Sequence, residues 1–304
     1  MKQKEEMIKS TAIEKSVAEE MMGSKRGRGR EIWTLFKRNK PAMVGLVLFI
    51  AIVLVAIFAD VIADEKLCYE FSGIPLESPS LEHPFGTDNL GRDLFARVVH
   101  GSRYSLVIGI SATVISLVIG AFIGAACGYF GGWVDNVVMR LFDVIASIPG
   151  MLLIMVLVMA LGVGVENLIY ALLISGVPGY ARFVRSTVLN LTDMEYVQCA
   201  KSYGTSNFKI ILRHVLPNAL GPIIIMLAGS ISGTILGAAG YSFMGFGVQQ
   251  PTPEWGAMIS ASRQYMRLSP AYAIIPGLAI VITAMSINLV GDGLRDALDP
   301  RLKD

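Results

Sequence analysis

Residues 104–130 read YSLVIGISATVISLVIGAFIGAACGYF. No Asp, Glu, Lys, Arg or His interrupts this run, and it exceeds the roughly 20 apolar residues that a helix needs to cross the hydrocarbon core of a bilayer. Five further apolar runs lie around it, at about 42–63, 142–163, 167–181, 218–244 and 269–290, each free of ionisable residues over most of its length. The chain is 53% hydrophobic with only 9% aromatic residues, so the excess is aliphatic and small, as a membrane protein requires. The fold class read from this pattern is all-α: a polytopic membrane bundle of six transmembrane helices.

Charge sets the orientation. With the amino terminus inside, 20 Lys and Arg residues fall on the cytoplasmic side and 6 on the other, which places both termini in the cytoplasm by the positive-inside rule. The organisation is then a basic cytoplasmic arm (1–40), a first transmembrane helix (41–63), an external loop (64–103) and a transmembrane core (104–304) that carries a cytoplasmic loop at 182–217. The arm precedes the first apolar run with about 40 hydrophilic residues, unlike a cleavable signal peptide. Its stretch Lys25-Arg26-Gly27-Arg28-Gly29-Arg30 matches either a solvated tail or a contact with anionic headgroups. In the external loop Pro75, Pro79 and Pro84 break the first half, and a helix is expected over 89–100. Small residues at three- or four-residue spacing, such as Gly120, Gly124 and Gly128, or Gly229, Gly233, Gly237 and Gly240, let helices approach closely. Pro276 is expected to bend the last span.

Several function classes are excluded by what is missing. No GxxxxGK[ST] loop is present, so nucleotide phosphates must be bound by another polypeptide. HExxH, GxSxG and an intramembrane acidic pair are also absent, which leaves no catalytic residues to assign. The span interiors lack the titratable groups of a proton or cation relay, which weighs against a self-contained ion-coupled secondary transporter. Cys68, Cys127 and Cys199 form no CxxC pair and read as structural. His83, His100 and His214 fit no ligand spacing and read as surface or capping residues, so no metal and no cofactor are expected.

The loop 192–218 reads TDMEYVQCAKSYGTSNFKIILRHVLPN. Thr192 and Glu195 have capping-box spacing, and Gly204 is a helix stop, so a short helix is expected over 193–203. A second helix starts near Ser206 and leads to Pro217 in the first turn of the fifth span. Val197, Ala200 and Tyr203 share one face, which fits equally a groove on a partner or this chain's own loops. A DNA-reading helix-turn-helix looks similar, but a loop tethered at a bilayer is unsuited to nucleic acid.

This loop resembles the EAA loop of ABC-importer permeases. Gln198, Cys199 and Ala200 occupy the Glu-Ala-Ala positions, Gly204 the glycine, and His214, Val215, Leu216 and Pro217 the Ile-x-Leu-Pro end. The stretches HPFGTDNLGRDLFARVVHGSRYSL (83–106), YSFMGFG with PTPEWG (241–256) and NLVGDGLRDALDPRLKD (288–304) look like the dipeptide/oligopeptide/nickel permease group. The resemblance implies a permease subunit of an ATP-driven importer in a bacterial inner membrane. It further implies pairing with a homologous permease as a heterodimer, two ATPase subunits below, and an extracellular substrate-binding protein delivering short peptides, nickel chelates or glutathione. ATPase coupling would be carried by Gln198, Cys199, Ala200, Lys201, Ser202, Tyr203 and Gly204. Read physically, Gly86, Gly91 and Gly101 allow tight turns in the external loop, and Pro251, Pro253 and Trp255 a rigid turn into an interfacial helix with an aromatic anchor. Asp292, Arg295, Asp296 and Arg301 suit either ion pairs or an ATPase surface.

Overall fold

The computed structural model describes residues 29–298. Residues 1–28, with most of the basic stretch of the arm, and residues 299–304, with Arg301, lie outside the described residues. Within them nearly all of the ordered backbone is helical, and the one β feature is an isolated bridge between Thr87 and Asp93.

A helix α1 (29–38) leads into α2 (Lys40–Ile57). Asn39 separates them, its side chain accepting the Ala42 amide at 3.1 Å, while Pro41 occupies the first turn, where its missing N–H would have had no partner. After a short α3 (Ala59–Ile62) and a 3₁₀ turn (Glu65–Cys68) the chain is irregular up to Asp93. That residue caps α4 (Leu94–Phe130), accepting the Ala96 amide at 2.6 Å. The helix expected over 89–100 therefore starts later: Asp88 Oδ1 holds the amides of Leu90 and Arg92 at 2.8 and 3.0 Å, and Gly91 has φ +74°, a turn that no helix can include. At 1.5 Å per residue the 37 residues of α4 reach about 55 Å. Residues 94–103, expected in the loop, are its first turns, and it is far longer than the ~30 Å hydrocarbon core.

The run expected as one span over 142–163 is broken. It belongs to α5 (Gly132–Ala146) and α6 (Gly150–Leu161), which meet at 84°. Pro149 has no N–H for the helix and disfavours helical geometry at the residue before it, so the chain turns there. By contrast α7 (Val165–Thr192) continues through Pro178 and extends beyond the expected end at 181, so the first part of the expected loop 182–217 is helix. There follow α8 (Glu195–Ser202), α9 (Asn207–Ile210), a π-helical turn (Ile211–Val215) and α10 (Leu216–Phe243). The π turn has a local cause. Pro217 cannot donate to the i−4 carbonyl, and Leu216 donates instead to Ile211 five residues back. Finally α11 (Trp255–Ser262) and α12 (Pro270–Leu298) close the bundle, the latter running through Pro276 without a break.

Among the described residues four helical stretches are long and apolar enough to cross a membrane, Lys40–Ile57, Leu94–Phe130, Asn207–Phe243 and Pro270–Leu298, and the bent pair α5 and α6 makes a fifth if it is one span. The 28-residue α7 carries Glu166, Arg182 and Arg185 and is not among them.

The most extensive pairing is α4 with α7. Gly120, Gly124 and Gly128 form a smooth ridge at four-residue spacing against Tyr180, Ala181 and Arg185. A Cβ at Gly124 would meet the Ala181 carbonyl oxygen, and one at Gly128 would lie 2.8 Å from the Arg185 oxygen. The expected role of small residues thus holds at this interface. Likewise α2 seats Gly45 against Leu289 of α12, and Phe36 of α1 packs beside Gly293.

Candidate functional site

The α8 unit is built on a hinge of known chemistry. Tyr203 follows α8 as its C-cap and Gly204, at φ +71°, donates its amide to Lys201 O at 3.0 Å, while Thr205 N–H reaches Ala200 O at 3.1 Å. These two bonds are the Schellman cap that needs a left-handed residue, so the expected helix stop is present. The other end differs from expectation. Thr192 is the last residue of α7 and donates its hydroxyl to Leu189 O, Met194 precedes α8, and no side chain caps it, so the capping box does not form.

The apolar face also divides differently. Val197 and Ala200 are buried in a cluster with Val184, Val188, Ile210 and Val215, so they bind α8 to this chain's own core. Tyr203 is 89% exposed. The outward surface consists of Gln198, Cys199, Lys201, Ser202, Tyr203 and Gly204, joined across the turn by Phe208, also exposed at 71%. Of the seven residues singled out from sequence, Ala200 alone faces inward. Phe208 was missed, although an aromatic in the polar stretch SYGTSNFK was a signal of a surface meant to be covered.

The unit is tied to the long helices. Tyr129 of α4 donates to Asn207 Oδ1 at 2.9 Å, and Lys201 Nζ lies 5.1 Å above the Tyr129 ring. Nearby, Arg185 of α7 forms a two-pronged ion pair with Asp135 of α5, and Arg182 approaches Asp143 at 3.8 Å.

Between those three helices lies a hollow of about 290 Å³. Thr113 and Ser116 line it from α4, Ser175 and Tyr180 from α7, and Ser230, Thr234 and Tyr241 from α10, together with small residues. Among the described residues no Asp, Glu, Lys, Arg or His lines it.

At the opposite end of the bundle from α8 the quoted motifs resolve into a buried polar lock. Asp88 pairs with Arg92 at 2.6 Å and lies 3.5 Å from Arg97. Both arginines donate to Gln250 Oε1, and Arg97 also reaches the Cys68 carbonyl at 2.6 Å. His83 and Asp93 share a 2.8 Å hydrogen bond, which raises the His83 pKa above its ordinary value. His83 and His100, expected as surface or capping residues, are thus buried. Among the described residues no group of His, Cys, Asp and Glu could hold a metal ion, and all three cysteines are free. Glu254 caps α11 through the amides of Gly256 and Ala257. Trp255, expected as an interfacial anchor, is instead 2% exposed, its Nε1 donating to Val98 O at 3.0 Å. At the far end of α12, Asp296 accepts from Asn39 at 2.9 Å.

Residues 116–304 match the family model described as the binding-protein-dependent transport system inner membrane component, and residues 27–74 match the N-terminal TM domain of oligopeptide transport permease C. The chain belongs to the first of these families. It is 41% identical over 274 residues to the dipeptide transport system permease protein DppC of Alkalihalophilus pseudofirmus, covering 90% of each chain. It is 42% identical over 275 residues to the glutathione transport system permease protein GsiD of Escherichia coli, again over 90% of each. In fold it is similar to a chain of the inward-facing MetNI methionine ABC transporter, with a TM-score of 0.55 and 18% identity over 67% of this chain and 96% of that one. As a multi-pass inner membrane permease of an ABC importer it is a transport subunit and not an enzyme. ATP hydrolysis belongs to ATPase partners and cargo delivery to a binding protein.

Proposed function

We propose that this chain forms half of the translocation path for short peptides in a bacterial inner membrane, pairing with a homologous permease as a heterodimer. In this reading it has six transmembrane helices, with α7 as one of them and α5 and α6 together as another. Both termini are cytoplasmic, 1–40 is a basic arm, and the segment around 64–93 is external. Two ATPase subunits bind below the pair, Gln198, Cys199, Lys201, Ser202, Tyr203 and Gly204 dock into a groove of the ATPase with Ala200 locking the helix from behind, and an extracellular binding protein docks on the opposite side. The names of the dipeptide and glutathione relatives support a peptide cargo.

The observation that carries the reading is the two-sided α8: Val197 and Ala200 are fused to the core while Tyr203 and Phe208 stand free. Such a helix is a lever, since whatever holds its outer face moves α4, α7 and α10. The transport cycle is then a conformational equilibrium biased by the different affinities of ATP and loaded binding protein for its two states. Purification from the native membrane tests the assembly, with two ATPases and one second permease expected alongside. Reconstitution of the chain alone in liposomes under an imposed ion gradient is expected to give no uptake, and gradient-driven uptake without ATPases would refute the reading in favour of a self-contained ion-coupled transporter.

A further inference from the structure

The hollow between α4, α7 and α10 has an unusual balance of polar groups. Thr113 donates to Thr234 at 2.8 Å and Thr234 to the Ser230 carbonyl at 2.9 Å, so those hydroxyl protons are committed. The side-chain hydroxyls of Ser175, Tyr180, Ser230 and Tyr241 have no hydrogen-bond partner among the described residues. Tyr180 is only 9% exposed. Hydroxyls that face one hollow without a partner in this chain leave their bonds free for something outside the chain to take up. Gly233 adds space: a Cβ there would meet nothing within 4 Å.

We propose that this hollow is a cargo-contact site in which hydroxyls bind the main chain of a passing peptide without selecting for the charge of its side chains. A hydroxyl both donates and accepts, so it matches the N–H and the C=O that every peptide carries whatever its sequence. A fixed carboxylate or ammonium would attract one class of side chain and repel the other, and in a surrounding of low dielectric that discrimination would be strong. The volume of about 290 Å³ suits part of a short peptide, with the other wall left to the partner permease. The inference rests on the peptide-importer reading and adds the chemistry by which the path itself meets its cargo.

The test uses the complete importer, with its ATPases and binding protein, in proteoliposomes. The probes are three tripeptides of similar size with a central alanine, glutamate or lysine, and the readout is the lysine-to-glutamate uptake ratio relative to wild type. Ser175→Asp is expected to raise that ratio about tenfold, and Ser175→Lys to lower it by a similar factor. Gly233→Leu, whose Cβ would meet nothing within 4 Å and whose side chain would occupy part of the hollow, is expected to cut uptake of all three about tenfold while the complex still co-purifies. Should the Ser175 variants fail to assemble, Ser230→Asp and Ser230→Lys on the facing helix carry the same expectation. Ratios unchanged in assembled charge variants, with wild-type uptake intact, overturn this inference and leave the importer reading standing. A wild-type importer that takes up none of the three peptides overturns the peptide reading and this inference together.

Discussion

Replacing Gly204 is expected to separate ATP hydrolysis from transport in proportion to how badly the new residue fits φ +71°. A Cβ at this position would meet nothing within 4 Å, so alanine brings no clash and its whole cost is conformational, roughly 1–2 kcal/mol for a left-handed residue other than glycine. At about 1.4 kcal/mol per factor of ten, Gly204→Ala shifts the balance between capped and uncapped α8 by about 5- to 30-fold. Asparagine tolerates this region better, so Gly204→Asn lies between wild type and alanine. Proline is the extreme. Its ring holds φ near −65°, and it lacks the N–H that now bonds Lys201 O at 3.0 Å, so the Schellman cap cannot form. The assay is peptide uptake per ATP hydrolysed by the reconstituted importer, with co-purification as the control for assembly. The expected order of coupling is wild type, asparagine, alanine, proline. A proline variant that transports with wild-type stoichiometry, or an alanine variant as impaired as proline, would refute the reasoning.

Gly124→Leu is expected to prevent stable folding, because its side chain must occupy the place of the Ala181 carbonyl and a Cβ already lies 3.0 Å from Arg185 N. Overpacking of this kind costs about 1–3 kcal/mol or more, visible as a lower apparent melting temperature or loss of monodisperse protein. The Asp135–Arg185 pair is expected to show coupling of about 0.5–3 kcal/mol in a double-mutant cycle with Asp135→Asn and Arg185→Gln, read by thermal unfolding, and additive effects would mean that the pair contributes nothing. His83 supplies a pH dependence. Its hydrogen bond to Asp93 raises its pKa in the folded protein, so the stabilisation is fully present below the ordinary value of 6.5 and is lost as pH rises through the folded value. Thermal stability is therefore expected to decline more from pH ~6 to pH ~9 in the wild type than in His83→Gln, and equal slopes would rule out His83 as the source.

The parts of this structure that were legible in the sequence are those with local causes. Uninterrupted apolar runs appear as the long helices, Gly204 ends α8 where the turn demands it, and Gly120, Gly124 and Gly128 mark a close helix contact. Local signals that compete were harder to weigh. Pro149 breaks a run that hydropathy alone joins, while Pro178 and Pro276 sit inside helices that neighbouring helices hold continuous. Thr192 and Glu195 have the spacing of a capping box, but α7 uses Thr192 as its own final residue.

What sequence by itself determined is therefore the solvent of this protein and most of its punctuation, since hydropathy and backbone freedom belong to single residues and their immediate neighbours. Tertiary structure alone decided which face of α8 is a root and which a handle. It also turned Trp255 from a surface anchor into a core residue and gathered Ser175, Ser230 and Tyr241 around one hollow with Tyr180. Those outcomes depend on how long helices cross, and the crossing is set by a glycine ridge fitting against a backbone more than 50 residues away in the chain, a relation that no local pattern encodes.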